Sequence, residues 1–199
     1  MKPVEILEQK VRALYEDKLE TRADLADLLY ESHVFVVARN AKLIAQRFGG
    51  DPDVAYAAGM LHDIADASMK RENPEHEAES TAIASRLMIE SGFDKKQIDV
   101  VTLDALPRHS CRGDERPSTL EGKALSTADA LAHLTTDFYV LLTNEFKKRR
   151  ESGDEIRQWV KEKIDRDLYE KIQYEEVRVQ AREGYENIKA RFNEATFTE

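Results

Sequence analysis

The 199-residue chain has one cysteine, Cys111, so no intrachain disulfide can form and nothing ties it to an oxidising compartment. No apolar run approaches the ~20 residues needed to span a bilayer. The first residues, MKPVEILEQKVRALYEDKLE, mix acids into the apolar positions and lack the unbroken apolar stretch of a signal peptide. These absences predict a soluble, cytoplasmic chain with no membrane partner. An excess of positive charge is also missing, since 39 Asp and Glu face 30 Lys and Arg, for a formal net charge of -9. A nucleic-acid polymer, which is held through clustered Lys and Arg, is therefore not an expected partner. A small phosphate ester needs only a local pocket of positive charge, and a metal ion can supply that.

Strand-like alternation is absent as well, and helical periodicity takes its place along the chain. Val4, Leu7, Val11, Leu14 and Tyr15 recur at three- and four-residue spacing and predict a helix from Pro3 to about Leu19. A short helix from about Ala23 to Tyr30 follows, with Thr21 and Asp24 in a capping-box-like arrangement. Ser32 is expected to cap a longer helix that carries His33, Val37, Ala41, Ile44 and Phe48 on one face and stops at Gly49-Gly50. Asp51-Pro52-Asp53, Asn73-Pro74-Glu75 and Asp94 each read as a helix start. Pro107 should kink or end its helix, and Ser118 with Glu121 reads as a capping box for a long helix through Leu134. Lys147 to Asp154 reads as a break. Two further stripes follow, through Ile156, Val160 and Ile164 and through Val177, Tyr185 and Phe192, with a frayed tail and no evident chemistry. At ~100–200 residues per domain, residues 1–199 are expected to form one domain.

The unusual stretch is 55–70, AYAAGMLHDIADASMK, where a run of small and apolar residues ends in His62 and Asp63. Burying such groups costs several kcal/mol unless a partner or an ion satisfies them, which points to a divalent metal. His33 and Asp129 fall on other helices, each directed inward. Singly, His33 also reads as a core histidine and Asp129 as a solvated side chain. His133, four residues after Asp129, reads best as a satisfied core histidine.

In order and context these residues resemble the HD superfamily of metal-dependent phosphohydrolases, whose signature is H…HD…D. The likeness extends to AAGMLHDI at 57–64, HEAES at 76–80, RHS at 108–110 and the run from PSTLE to TADAL at 117–131, about residues 25–135 in all. It implies an all-α HD-domain helical bundle, with residues 136–199 as additional C-terminal helices packed on it. It implies metal ligation by His33, His62, Asp63 and Asp129, with Mn, Ni, Co, Fe, Mg and Zn not distinguished, and attack by metal-bound water. Asp66 stands where some branches carry an acid that acts as base. His76 and His109 stand where others recruit histidines for a second metal or for phosphate. Arg108, Arg112 and Lys70, with Arg71 beside it, are the substrate-binding candidates. The implied substrate is a small phosphorylated metabolite, a nucleotide first. The alternatives are a non-catalytic nucleotide-sensing or scaffold module and a di-iron oxygenase, and the helices after Lys147 are candidates for a homodimer interface. Two departures stand out: no Lys follows the HD pair as in HDIGK sequences, and Ala132 stands where one branch has an acid.

Overall fold

The computed structural model describes residues 1–149 and 152–194, and among these every regular element is helical. Helix α1 (Pro3–Glu16) starts with Pro3 in its first turn and buries Val4, Leu7, Val11 and Tyr15. It stops short of Leu19, and Lys18 beyond it takes a positive φ of 49°. Helix α2 (Ala26–Leu29) does not end before the next helix. A π turn, Tyr30–Val34, carries it straight into α3 (Phe35–Phe48). Ser32 therefore does not cap, and its hydroxyl donates 2.6 Å back to the Leu28 carbonyl within the continuous helix. A Ser here satisfies its hydroxyl on the preceding turn and so leaves the helix unbroken. Thr21, likewise, donates to the Ser68 carbonyl at 2.7 Å instead of capping α2.

Gly49, at φ 93°, ends α3 as expected. Asp51 caps α4 (Pro52–Leu61), its Oδ1 accepting from the backbone of Asp53 and Val54 at 2.9 and 3.2 Å. Helix α4 ends at His62, and Asp63 leaves it at φ -128° for a 3₁₀ turn, Ile64–Ala67. This exit comes several residues before the polar run expected to supply it, and it sets the HD pair at the bend.

Helix α5 (His76–Ser91) follows Asn73, whose side chain accepts from Glu75 N at 2.9 Å. Asp94 and Gln97 form the capping box of α6 (Lys95–Val100). A second π turn, Val101–Ala105, leads into α7 (Leu106–Arg108). Pro107 has no N–H to give to the Leu103 carbonyl one turn back, and Arg108 Nη1 donates to that oxygen instead, at 2.7 Å. Helix α8 (Leu120–Thr135) is capped by Thr119, one residue later than expected, through a 3.0 Å bond from Gly122 N. Ser118 is taken by Asp104, and Glu121 accepts from Asp51 N at 2.7 Å across the bundle.

Helices α3, α4 and α8 pack most closely on one another. A Cβ on Gly59 would lie 2.5 Å from Ala38 Cα, so that glycine is what lets α3 and α4 meet. Leu7, Ala41, Ala58, Leu61, Ala124 and Leu125 belong to the main core here. A second apolar cluster joins α8 to α9 (Phe138–Lys148), α10 (Gly153–Arg166) and α11 (Glu175–Glu194), through Leu134, Tyr139, Ile164 and Tyr185. A third π turn, Asp167–Lys171, follows α10. The expected break falls between α9 and α10, with 150 and 151 outside the described residues. Of the expected frayed tail, Asn193 and Glu194 are still helical, and 195–199 lie outside the described residues.

Candidate metal centre

Three elements converge at the centre of the bundle. The first π turn brings His33, the exit from α4 brings His62 and Asp63, and the middle of α8 brings Asp129. An inserted residue in a π turn rotates the rest of the helix by roughly 100°, and such turns recur where a side chain must be re-aimed. His33, His62 and Asp129 are all buried and each offers one ligand atom, the three lying within 4.8 Å of one another. His33 Nε2 stands 3.0 Å and His62 Nε2 3.9 Å from Asp129 Oδ1. Yet Asp129 Oδ1 and His62 Nε2 are buried without a hydrogen-bond partner, as is His33 Nδ1. Each such atom costs about 1–3 kcal/mol unless a ligand compensates it.

The protonation states suit a cation. His62 Nδ1 donates to the Gly59 carbonyl at 2.8 Å, which fixes the tautomer and leaves a lone pair on Nε2 toward Asp129. Burial holds His33 below the usual imidazole range, against the pull of Asp129. Burial pushes the Asp129 carboxyl up, but His133, Lys171, His33 and His62 together hold it well below the usual range. A neutral His33 imidazole, the His62 Nε2 position left open by its Nδ1 bond to Gly59, and an ionised Asp129 carboxylate are the donor set a divalent metal needs. Asp63 is the outer member, its Oδ2 3.6 Å from His62 Nε2 but paired at 2.9 Å with Arg71. Burial raises its pKa, and Arg71, His62 and His109 outweigh that and keep it ionised.

The other oxygen of Asp129 is held from the far end of the chain. Lys171, on the third π turn, pairs with Asp129 Oδ2, and both side chains are 4% exposed. Burial lowers the Lys171 pKa, but Asp129 and Asp167 reverse the shift and raise it. Asp167, on the same turn, lies 3.0 Å from His133 Nδ1 and accepts from the Tyr139 hydroxyl at 2.5 Å. His133 Nε2 in turn stands 3.1 Å from Asp129 Oδ1, and burial drives its pKa down to about 3. The helices after Lys147, expected to carry no chemistry, therefore supply the counter-charge of the centre. Nothing in the local pattern of 156–171 marks this, because Lys163, Asp167 and Lys171 at four-residue spacing also describe a solvated helix face.

The remaining candidates divide. His109 is buried with its ring centroid 5.6 Å from that of His62, and Nδ1 donates to Leu106 O at 2.6 Å. Burial takes its pKa to about 4. Asp66, 1% exposed, is enclosed by Arg71, which donates to it through two nitrogens, and by His76, whose Nε2 lies 2.9 Å from Asp66 Oδ1. A carboxylate so engaged is not a free base, and His76 is committed to it. His76 is also buried, contrary to its exposed appearance in sequence. Lys70 pairs with Asp24, and Arg108 serves the Leu103 carbonyl and Asp104, so neither lines the site cavity. Arg112 does line it, paired with Glu77 at 3.0 Å.

That cavity, about 590 Å³, opens above His33, Asp63, Asp129 and His133. Leu29, Phe138, Leu142, Phe146 and Trp159 supply the apolar part of its lining. A groove of about 670 Å³ between α10 and α11, lined by Asp165, Tyr185 and Lys189, offers no histidine or cysteine, so chemistry selects the first cavity.

Fold and centre together define an all-helical protein with a buried group able to hold a divalent metal. The HD domain family model matches residues 30–134, and the chain belongs to the HD domain family. Ribonuclease Y of Alkaliphilus metalliredigens is 34% identical over 100 residues, 50% of this chain and 19% of that one. Ribonuclease Y of Aliarcobacter butzleri is 31% identical over 125 residues, 63% of this chain and 22% of that one. The chain thus spans about a fifth of the length of the curated relatives it matches. A crystal structure of a predicted HD superfamily hydrolase from an uncultured Thermotogales bacterium shares the fold, with a TM-score of 0.60 and 22% identity over 93% of this chain and 88% of that one.

Proposed function

We propose that the protein is a metal-dependent phosphohydrolase that cleaves a phosphoester or pyrophosphate bond of a small metabolite, with nucleotides as the substrate class. The observation that carries this is the pair of buried, unpartnered ligand atoms, His62 Nε2 and Asp129 Oδ1, with His33 Nε2 3.0 Å from the latter. His33, His62 and Asp129 would hold the metal, joined by Asp63 as it turns from Arg71. A divalent cation supplies Lewis acidity toward a phosphoryl oxygen and acidifies water.

The chain's own groups supply the rest. Arg71 gives Nε and Nη2 to Asp66 and Asp63, which fix its guanidinium at the cavity and leave Nη1 as its donor for a phosphate oxygen. Lys171 fixes the orientation of Asp129 from behind. The aromatic side chains in the cavity lining, Phe138 and Trp159, suit a nucleobase. The role of Asp66 in this reading is to position Arg71 and His76 rather than to take a proton.

The full engagement of Asp66 favours a second reading, a module that binds a nucleotide without turning it over. The oxygenase reading is weakened by the commitment of His76 to Asp66. The deciding experiment is phosphate or pyrophosphate release from a panel of nucleotides, with a short RNA added because of the relatives named ribonuclease Y. It is run in Mn, Ni, Co and Mg, with Asp63→Ala as control. Metal-dependent release by the wild type alone supports the hydrolase. Tight nucleotide binding with no release from any substrate supports the sensing module.

A further inference from the structure

The cavity has a cationic wall that the metal-competent group does not use. Lys163 and Arg166, three residues apart on α10, both line it, which places them on one face of that helix. Their neighbours differ in one respect. Each other arginine on the cavity is already neutralised: Arg71 by Asp63 and Asp66, Arg112 by Glu77, and Arg149 by Asp24 and Glu72. The Arg166 side chain makes no hydrogen bond or ion pair with any described residue, and its Nε is buried without a partner. A chain with 39 acids could readily have supplied a partner for that guanidinium. Lys163 beside it is 14% exposed at the side chain, with Nζ 3.1 Å from His133 Nδ1 and 3.4 Å from Asp167. One imidazole therefore separates Lys163 from Asp129, since His133 Nε2 lies 3.1 Å from Asp129 Oδ1. The Phe138 ring fills the space alongside, 4.0 Å from His133 and 5.1 Å from His33 between centroids.

We infer that Lys163 and Arg166 form a second anion subsite, so that the substrate carries a further phosphate beyond the one at the His33, His62 and Asp129 group. The inference rests on the phosphohydrolase reading and deepens it by naming a bisphosphorylated nucleotide or a 5′-phosphorylated oligonucleotide end as the ligand. An ammonium and a planar guanidinium on one helix face together match the oxygens of a tetrahedral dianion, and Arg166 is the member with donors to spare. This assigns selection of the substrate to the C-terminal helices, while the residues matched by the HD domain model carry the ligand atoms.

The test is calorimetric binding to the full chain, in EDTA and again in Mn. The three ligands are adenosine 5′-monophosphate, adenosine 3′,5′-bisphosphate and the 5′-phosphorylated dinucleotide pApA. Wild type is expected to prefer at least one of the doubly phosphorylated ligands over the monophosphate by about tenfold or more, and the stronger of the two names the source. Arg166→Gln is expected to bring that ratio close to unity, and Arg166→Lys, which keeps the charge and loses the fork, to fall between. A wild type without preference, or a folded Arg166→Gln protein that keeps it, overturns the subsite. Phosphate release from the same ligands is followed separately. Preference without release supports the subsite while counting against hydrolysis, and release without preference does the reverse.

Discussion

Replacing Lys171 by Met keeps the length of the side chain and removes its charge, which tests the link between the C-terminal turn and the centre. Asp129, 3% exposed, then loses the ammonium on Oδ2, and the fully buried Asp167 loses a cation at 3.8 Å. Removing one partner of a buried ion pair costs about 3–5 kcal/mol, because the other charge stays behind uncompensated. Lys163, 3.4 Å from Asp167, offsets part of this, so the lower figure applies. About 3 kcal/mol is roughly 6–12 °C of melting temperature for a chain of this size. A divalent cation held by His33, His62 and Asp129 returns the missing charge to the carboxylate. The loss should therefore be full in EDTA and largely restored by excess Mn, since a ligand that binds the folded state stabilises it. The assay is urea unfolding of wild type and Lys171→Met, followed by far-ultraviolet circular dichroism in both conditions. Equal losses with and without Mn, or no loss in EDTA, would refute the reasoning.

Asp104→Ala removes the acceptor of bonds from Ser118 and Thr119, backbone and side chain both, and should cost about 3 kcal/mol in chemical denaturation. Burial raises the Asp104 pKa, but these donors outweigh it and hold it below the usual value. Its contribution is therefore present above about pH 4 and lost as pH falls through the depressed folded value, so acid titration of wild type should show a step that Asp104→Ala lacks. Gly59→Ala sets a Cβ 2.5 Å from Ala38 Cα and should destabilise by about 2–4 kcal/mol, read as a lowered thermal midpoint. Arg108→Met should cost about 1–2 kcal/mol in stability by freeing the Leu103 carbonyl and leave KM for any phosphoester substrate unchanged. A raised KM would return Arg108 to the substrate.

The helix starts at Asp51 and Asp94 and the glycine stop at Gly49 were legible because a cap is a local device of three or four residues. At α8 the boundary moved because distant partners took the residues. Asp104 claims Ser118, so Thr119 caps α8, and Asp51 N claims Glu121. The π turns left no trace in periodicity, since one extra residue per turn shifts the apolar stripe without ending it. His62 and Asp63 stood out at the end of an apolar run, whereas His33 and Asp129, which singly read as a core histidine and a solvated side chain, joined them only through the resemblance to the HD superfamily. Asp66 could be noticed, but not its enclosure by Arg71 and His76. Lys171 was hidden in a charged run whose tertiary contact spans 42 positions in sequence.

Metal binding at equilibrium tests the central claim most directly. Elemental analysis of purified wild type, with titration of the EDTA-stripped protein by Mn, Co, Ni and Zn, is compared with His62→Ala and Asp129→Ala. The account predicts about one tightly held ion per chain in wild type, and affinity lowered at least about tenfold in both variants, because each loses a direct ligand. A wild-type protein that is metal-free and takes up none of these ions, or folded variants that bind them as wild type does, would contradict it.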